Sequence, residues 1–478
     1  MQQEDLEFFN GEDFQEILKK YEESVKSGHP IYMDADDLAD VADYYQFNER
    51  LEEAEEAISL AIQYNPQAVG PMLYRSREAL AVKDFETARN YASQIKVVDA
   101  LEALFLEGEI LICEGKAEEA NELYRQYMKE EVMDDELMDY VYDVAHIFSE
   151  YGLYKKAFEW IARSQGDDSK DFKELMGRTL FGLGKYKASE KIFNELIDQN
   201  PFSSSYWNAL ASTQFMQEDY SSAVTSSEYA IAIDPNDPDG LLAKANSLFN
   251  LDNFEAALSF FEKYSEKMPD DAFGFLHQGT CLINIGRHEE AIKVLEKAEE
   301  LAQKEPQHLP DIYQELAFAY SELQQPDTAV YYLDKTELLD CDHINILIIK
   351  GHVMLSNGKR DEAEKAFRKA LQLSENSPKV MLRIIVSLYD NKYLESSYFL
   401  LKKFFKYVVD ENWKDGYSYL ALCCMNLDKK DEFLEYVKLA CEKNPKEARM
   451  VLGTYFPEDV ETKDYYTFAV NKLKQEEK

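Results

Sequence analysis

WNALASTQFMQEDYSSAVTSSEYAIAIDP, residues 207–235, decides the fold. Trp207, Leu210 and Ala211 share one face of a first helix, Tyr220, Ala223 and Ala230 share one face of a second, and Pro235 stops it. Ala223 then recurs as Ala54, Ala88, Ala120, Ala157, Ser189, Ala257, Ala291, Ala329 and Ala363, at steps of 34, 32, 37, 32, 34, 34, 34, 38 and 34 residues along the ten. A small residue at that interval marks stacked helical hairpins, because two helices cross closely only where one of them carries almost no side chain.

Other positions keep the same spacing. Gly108, Gly177, Gly279 and Gly351, with Ala42, Ala145, Ala211, Ala245 and Ala317 in the equivalent place, open the first helix to the second. Gly115, Gly152, Gly184, Gly286 and Gly358 end the first helix, where a positive φ is cheapest for glycine. Pro66, Pro201, Pro235, Pro269 and Pro445 end the second. Further copies read Tyr313, Leu316, Ala317, Tyr320, Ala329, Leu333; Leu241, Ala245, Phe254, Ala257, Phe261, Pro269; and Leu347, Gly351, Gly358, Ala363, Phe367, Ala370. On these residues the chain resembles the tetratricopeptide repeat family, of the bacterial and cytosolic type. The resemblance implies an all-α, right-handed superhelical solenoid of antiparallel helix pairs.

Twelve units follow from the landmarks: 35–68, 69–100, 101–134, 135–169, 170–203, 204–237, 238–271, 272–309, 310–343, 344–376, 377–413 and 414–447. Three depart from the pattern. The second has Arg75 and Ser76 where Leu-Gly is expected, the eleventh Ser396, and the twelfth bulky Phe433 at the small position. The longer loop Lys304–Pro310 suggests a joint, giving array parts 35–309 and 310–447 between an N-terminal cap, 1–34, and a C-terminal cap and tail, 448–478. Residues 12–27 predict an amphipathic helix whose Phe14, Ile17, Leu18 and Tyr21 face the first repeat. Asp34 reads as the cap of the next helix, and Tyr465, Tyr466, Phe468, Val470 and Leu473 as cover for the last repeat.

Composition narrows the partners. With 45% hydrophobic residues in a chain of 478, there is material for one elongated core. The 52 basic against 92 acidic residues, net −40, oppose nucleic acid, whose binding begins with neutralised phosphates. The charge is uneven: residues 1–70 hold 18 acids and 4 bases, whereas 344–407 hold 6 acids and 12 bases. Cys113, Cys281, Cys341, Cys423, Cys424 and Cys441 form no C-x-x-C pair, which reads as free thiols in a reducing compartment. Met1–Asp5 lacks a signal-peptide n-region and no apolar run approaches a bilayer span, so a cytoplasmic protein is expected.

Catalytic patterns fail on spacing. His288-Glu289-Glu290 lacks a second histidine at Ile292, Gly182-Leu-Gly184 meets Lys187 where a dinucleotide motif needs glycine, and Gly358-Lys359 follows Val353 and precedes Arg360, so it is no phosphate loop. The acidic string from Asp234 to Gly240 fails as a calcium loop because Pro238 takes a ligand position, and it reads as an inter-helix turn. His29, His146, His277, His288, His308, His343 and His352 are scattered. No catalytic residue, metal site or cofactor is expected.

The resemblance implies a concave groove lined by first helices, with Trp207 as the fourth position of its repeat. The groove positions then hold Arg178, Phe181, Asn208, Ser212, Phe215, Leu242, Asn246, Phe249, Phe273, Leu276, Thr280, Ile283, Gln314, Phe318, Ile348 and His352. Phe181, Phe215 and Phe249, 34 residues apart, make an aromatic ladder that reads either as helix packing or as a platform for a peptide whose backbone Asn208 and Asn246 would bond. The family's carboxylate clamp of paired Lys, Arg and Asn is missing. The expected function is a non-enzymatic scaffold that binds a protein or peptide segment in this groove. The alternative is a homo-oligomer in which the acidic N-terminal part docks on the basic segment around Lys365, Arg368, Lys369, Arg383, Lys402, Lys403 and Lys406.

Overall fold

The computed structural model describes residues 8–9, 11–27, 33–48, 50–133, 136–164, 168–303, 306–339, 342–408, 412–457 and 460–476, and among them there is helix but no strand. Cys341, His29, residues 1–5 and Lys304–Glu305, all singled out in the sequence, lie outside the described residues. The chain is all-α and divides into two compact units, Met1–Ser247 and Leu248–Lys478. The boundary expected between 309 and 310 lies in the second unit, just after a 3-10 turn at Pro306–His308 and at the start of the helix Leu309–Glu322.

In the first unit the helix Glu12–Ser27 buries Phe14, Leu18 and Tyr21, with the Phe14 ring 5.5 Å from Tyr44 and Tyr21 6.0 Å from Tyr45. Asp34 caps the following helix by accepting from the Asp36 amide. Six hairpins then run from Ala35–Phe47 paired with Leu51–Tyr64 to Ser204–Met216 paired with Tyr220–Ile233, and most of Pro238–Asn250 follows. The second unit holds the helix Phe254–Lys267, five hairpins from Ala272–Asn284 with His288–Leu301 to Tyr417–Asn426 with Lys430–Lys443, and the helices Pro445–Leu452 and Tyr465–Glu476. Tyr465 is fully buried and stacks on Phe456 at 4.0 Å, closing the last hydrophobic cluster.

The recurring small residue is the fourth of each second helix, and it is at most 1% exposed at every one of the ten positions. It stands twelve residues after the eighth or ninth position of the first helix, as in Ala42 and Ala54, Gly108 and Ala120, or Gly351 and Ala363. Space there is short. A methyl on Gly108 would lie 1.8 Å from the Tyr124 hydroxyl, and one on Gly351 2.2 Å from the Phe367 ring. Two serines use the proximity: Ser76 Oγ donates to the Ala88 carbonyl at 3.3 Å and Ser189 Oγ to the Gly177 carbonyl at 2.8 Å.

This geometry corrects two of the three expected irregularities. Ser76, fully buried at its crossing, is a small residue in register, so the second repeat, 69–100, is regular there. In the eleventh, Ser396 is exposed and the buried residue is Ser397, 34 after Ala363. Its hydroxyl satisfies itself on the Tyr393 carbonyl at 3.0 Å. Phe433 does occupy the small position of the last hairpin, opposite Ala421.

From the hairpin of Val69–Ala81 and Phe85–Val98 onward, each hairpin turns on a single left-handed residue. Gly115 and Gly286 take φ +80° and +78°, but Lys83, Glu218, Asp252, Gln324, Lys392 and Asp428 adopt φ of 57° to 66° at the same place. The turn is thus imposed by the pairing of the helices, since side chains disfavour this conformation by about 1 kcal/mol.

Candidate functional site

Within the first unit, a groove of about 1030 Å³ opens between the helices Lys170–Gly182, Ser204–Met216 and Pro238–Asn250, with Phe47 and the turns before the last two helices completing its wall. Arg178, Phe181, Asn208, Ser212, Phe215, Leu242 and Asn246 all line it. They converge because positions four residues apart on successive first helices share a face.

Phe181 and Phe215 are half-buried, and each ring lies edge-on against the aromatic that begins its own second helix, Tyr186 at 5.6 Å and Tyr220 at 5.3 Å. One edge of each ring therefore packs in the hairpin while the ring also walls the groove. Phe249, in the second unit, makes the equivalent contact with Phe254 at 5.3 Å but also meets His277 at 6.0 Å. Around the two rings, Phe202 and Met216 are 80% and 46% exposed.

The polar side of the wall is acidic. Arg178 is held by Glu174, through Nε at 3.2 Å and Nη2 at 2.8 Å. Asn208 Nδ2 donates to the Asp237 carboxylate, which orients the amide, and its Oδ1 is buried without a partner. Asp237 also accepts from the Asp239 amide at 3.0 Å, and Asp234 from the Asn236 amide at 2.9 Å. Burial, reinforced by Asp237, raises the Asp239 carboxyl above its ordinary range, while Arg178 opposes the shift. Sequence reasoning treated the 234–240 string as a turn; its carboxylates also face the groove, a placement that only the stacking of the helices reveals.

The other expected groove residues belong to the second unit. Phe273 packs on His277 at 4.2 Å, Thr280 Oγ1 donates to the Leu276 carbonyl at 3.1 Å, and Gln314 is bonded to the Pro310 carbonyl and to Asn345, each at 3.1 Å. His352 lines a separate cavity of about 420 Å³ in the second unit, with Phe318, Ile348, Leu382 and Arg383, and its Nδ1 lies 2.9 Å from Ser387 Oγ. Burial lowers the pKa of His352.

Of the basic segment, Arg368 is tied to Glu364, Lys369 to Glu337 at 3.7 Å, and Lys402 to Glu432 at 2.9 Å and the Tyr436 hydroxyl at 2.7 Å. Arg383 bonds Asn345. Lys403 lies 4.3 Å over the ring of Phe399, which is 55% exposed. Lys365 and Lys406 stand on the same two helices as these residues, Arg360–Leu373 and Leu394–Tyr407. Among the described residues no three metal-binding side chains converge, and no helix is long and apolar enough to cross a membrane.

The family profile for anaphase-promoting complex, cyclosome, subunit 3 matches residues 216–298, and tetratricopeptide-repeat profiles match 175–238 and 344–377. No curated protein sequence matches. Among solved structures, yeast Tom70 is 13% identical over 92% of this chain and 96% of that one, with a TM-score of 0.43. MamA 41-end from Desulfovibrio magneticus RS-1 is 19% identical over 37% and 96%, TM-score 0.34. YrrB, described as a TPR protein with an unusual peptide-binding site, is 16% identical over 42% and 97%, TM-score 0.34. The profiles thus fall on hairpins whose crossing residues and left-handed corners recur along both units, and the chain carries tetratricopeptide repeats at 175–238 and 344–377.

Proposed function

We propose that this chain is a non-enzymatic scaffold that holds a segment of another protein in the groove of residues 170–246. Tetratricopeptide-repeat proteins generally act as protein-interaction scaffolds. The observation that carries the reading is the placement of Phe181 and Phe215, each anchored on one edge by its own hairpin and walling a groove that also presents Asn208, Ser212 and Asn246. Rings hold apolar side chains while amides and hydroxyls bond an extended backbone. The free thiols of Cys113, Cys281, Cys423, Cys424 and Cys441 favour the reducing cytoplasm as its compartment.

The test is affinity capture with wild type, Phe215→Ala and Asn246→Ala, read by mass spectrometry and followed by direct binding of each captured protein in purified form. Loss of the same partner in both variants, at unchanged circular dichroism, supports the groove. Partners retained by both variants would place binding elsewhere.

A second reading is self-association through the basic segment, favoured by Lys403 and its exposed neighbours Phe399 and Tyr407 on one helix. Sedimentation at low and high salt decides it, since an assembly of acidic on basic surfaces dissociates as ionic strength rises.

A further inference from the structure

Among the described residues one cation, Arg178, lines the groove and Glu174 holds it, and no lysine lines it. Against it stand three carboxylates, Asp234, Asp237 and Asp239. Asp234 and Asp237 each spend one oxygen on their own turn, and Asp237 gives the other to Asn208, yet the charges remain. Asp239 stands exposed at the rim of the wall, and the protein beside it, with Asp237, raises its carboxyl above the ordinary range. A cation delivered to this wall meets all three carboxylates at once, and their fields add along the concave surface. The rings of Phe181 and Phe215 add a second attraction, because an ammonium or guanidinium is drawn to an aromatic face. An acidic or phosphorylated segment meets the reverse: a negative wall in a chain of net charge −40.

We propose that the groove selects a Lys- or Arg-bearing segment with an apolar side chain beside the cation, the apolar group seated on Phe181 and Phe215 and the cation facing Asp237 and Asp239. This rests on the reading of the groove as a peptide site and names its ligand class, opposite in charge to the acidic chain ends that a carboxylate clamp takes.

The experiment uses three fluorescein-labelled peptides of equal length, each with the same Leu and Phe positions and with Lys, Ser or Glu at the rest, titrated with the full chain by fluorescence anisotropy. The Lys peptide is expected to bind tightest and the Glu peptide not at all. Asp237→Asn with Asp239→Asn should weaken the Lys peptide by about tenfold or more. Asparagine keeps the turn capped at 237, and Asp239→Asn alone serves if the pair unfolds. The matching loss of two charges at Asp361→Asn and Glu362→Gln, exposed on another helix, should leave affinity unchanged. An equal loss in that control overturns the inference, because the whole field and not the groove then attracts the peptide. Equal binding of the Ser and Lys peptides, both weakened by Phe215→Ala, also overturns it while leaving the groove as a peptide site. If no peptide binds, or Phe215→Ala changes nothing, the underlying reading fails instead.

Discussion

The hairpin Ala100–Cys113 with Ala117–Glu130 and the last hairpin, Tyr417–Asn426 with Lys430–Lys443, solve the same packing problem in different ways. In the first, Gly108 and Ala120 leave room for Tyr124, which is fully buried and donates to the Phe105 carbonyl at 3.0 Å. In the last, Ala421 faces Phe433, and Phe433 belongs to a cluster with Phe456, Tyr465 and Ala469 from the terminal segments. The start of the last hairpin is also held from outside itself, with the Glu447 carboxylate accepting from the amides of Gly416 at 2.9 Å and Ser418 at 3.3 Å. A repeat followed by another repeat needs a narrow crossing; a repeat that must end the core can place a large ring there and cover it with a helix of another kind.

The sharpest way to break this contrast is Phe433→Ala. Were the last hairpin a decayed copy, restoring alanine would stabilise it; the cluster predicts a loss of about 3 kcal/mol in urea unfolding, since the cavity left against Phe456 and Phe468 is not refilled. Gly108→Ala should cost about 3 kcal/mol as well, because the added methyl displaces the Tyr124 hydroxyl from its hydrogen bond.

The contrast extends to polar groups. Tyr124 has its partner, whereas His277, between Phe261 at 5.2 Å and Phe273 at 4.2 Å, buries an Nδ1 with none, and burial pulls its pKa down to about 4. Above pH 6.5 it is neutral folded or unfolded; between 6.5 and 4 the unfolded chain takes up a proton that the folded chain refuses. Stability should therefore fall through that window, by roughly 2 to 3 kcal/mol more in wild type than in His277→Leu. Glu315, raised to about 7 by burial, works in the opposite direction from pH 7 down to 4.5, so the comparison of the two proteins, not the wild-type curve alone, reads the histidine.

Phe215→Ala should lower stability by only about 1 kcal/mol, since the ring is half-buried, while it abolishes peptide binding in the groove. A loss of 3 kcal/mol or more by thermal melting would assign the ring to the core. The smallest effect is a gain. Asp252→Gly, at φ +59°, should raise stability by about 0.5 to 1 kcal/mol, and the same change at Lys83 should match it.

The architecture was legible because several independent constraints share one period. A buried alanine, a glycine beneath a ring and a left-handed corner each fix a position, so errors in one are caught by the others. The slip at Ser396 shows the limit: two adjacent serines look alike in sequence, and only the twelve-residue offset from Ile385 selects Ser397. The groove was half legible. Side chains on the first helices could be placed by position within the repeat, which brought seven of them to one wall. The carboxylates of 234–239 could not, because turn residues follow no helical period and their orientation depends on how consecutive hairpins stack. Thr280 and Gln314 belong to the second unit, where Thr280 bonds a carbonyl of its own helix and Gln314 is shared between its own helix and Asn345.

Hydrogen bonds between hairpins, such as Tyr151 to Glu109, Trp160 to Asn121 and Arg77 to Glu109, bridge only 32 to 42 residues of chain. Closing loops of that length costs little, so each hairpin can form soon after its neighbour without waiting for distant partners. Pulled from its ends, such a chain should lengthen in a staircase of hairpin-sized releases. A partner clasped in the groove of residues 170–246 would appear in that trace as one step that yields at higher force than the rest.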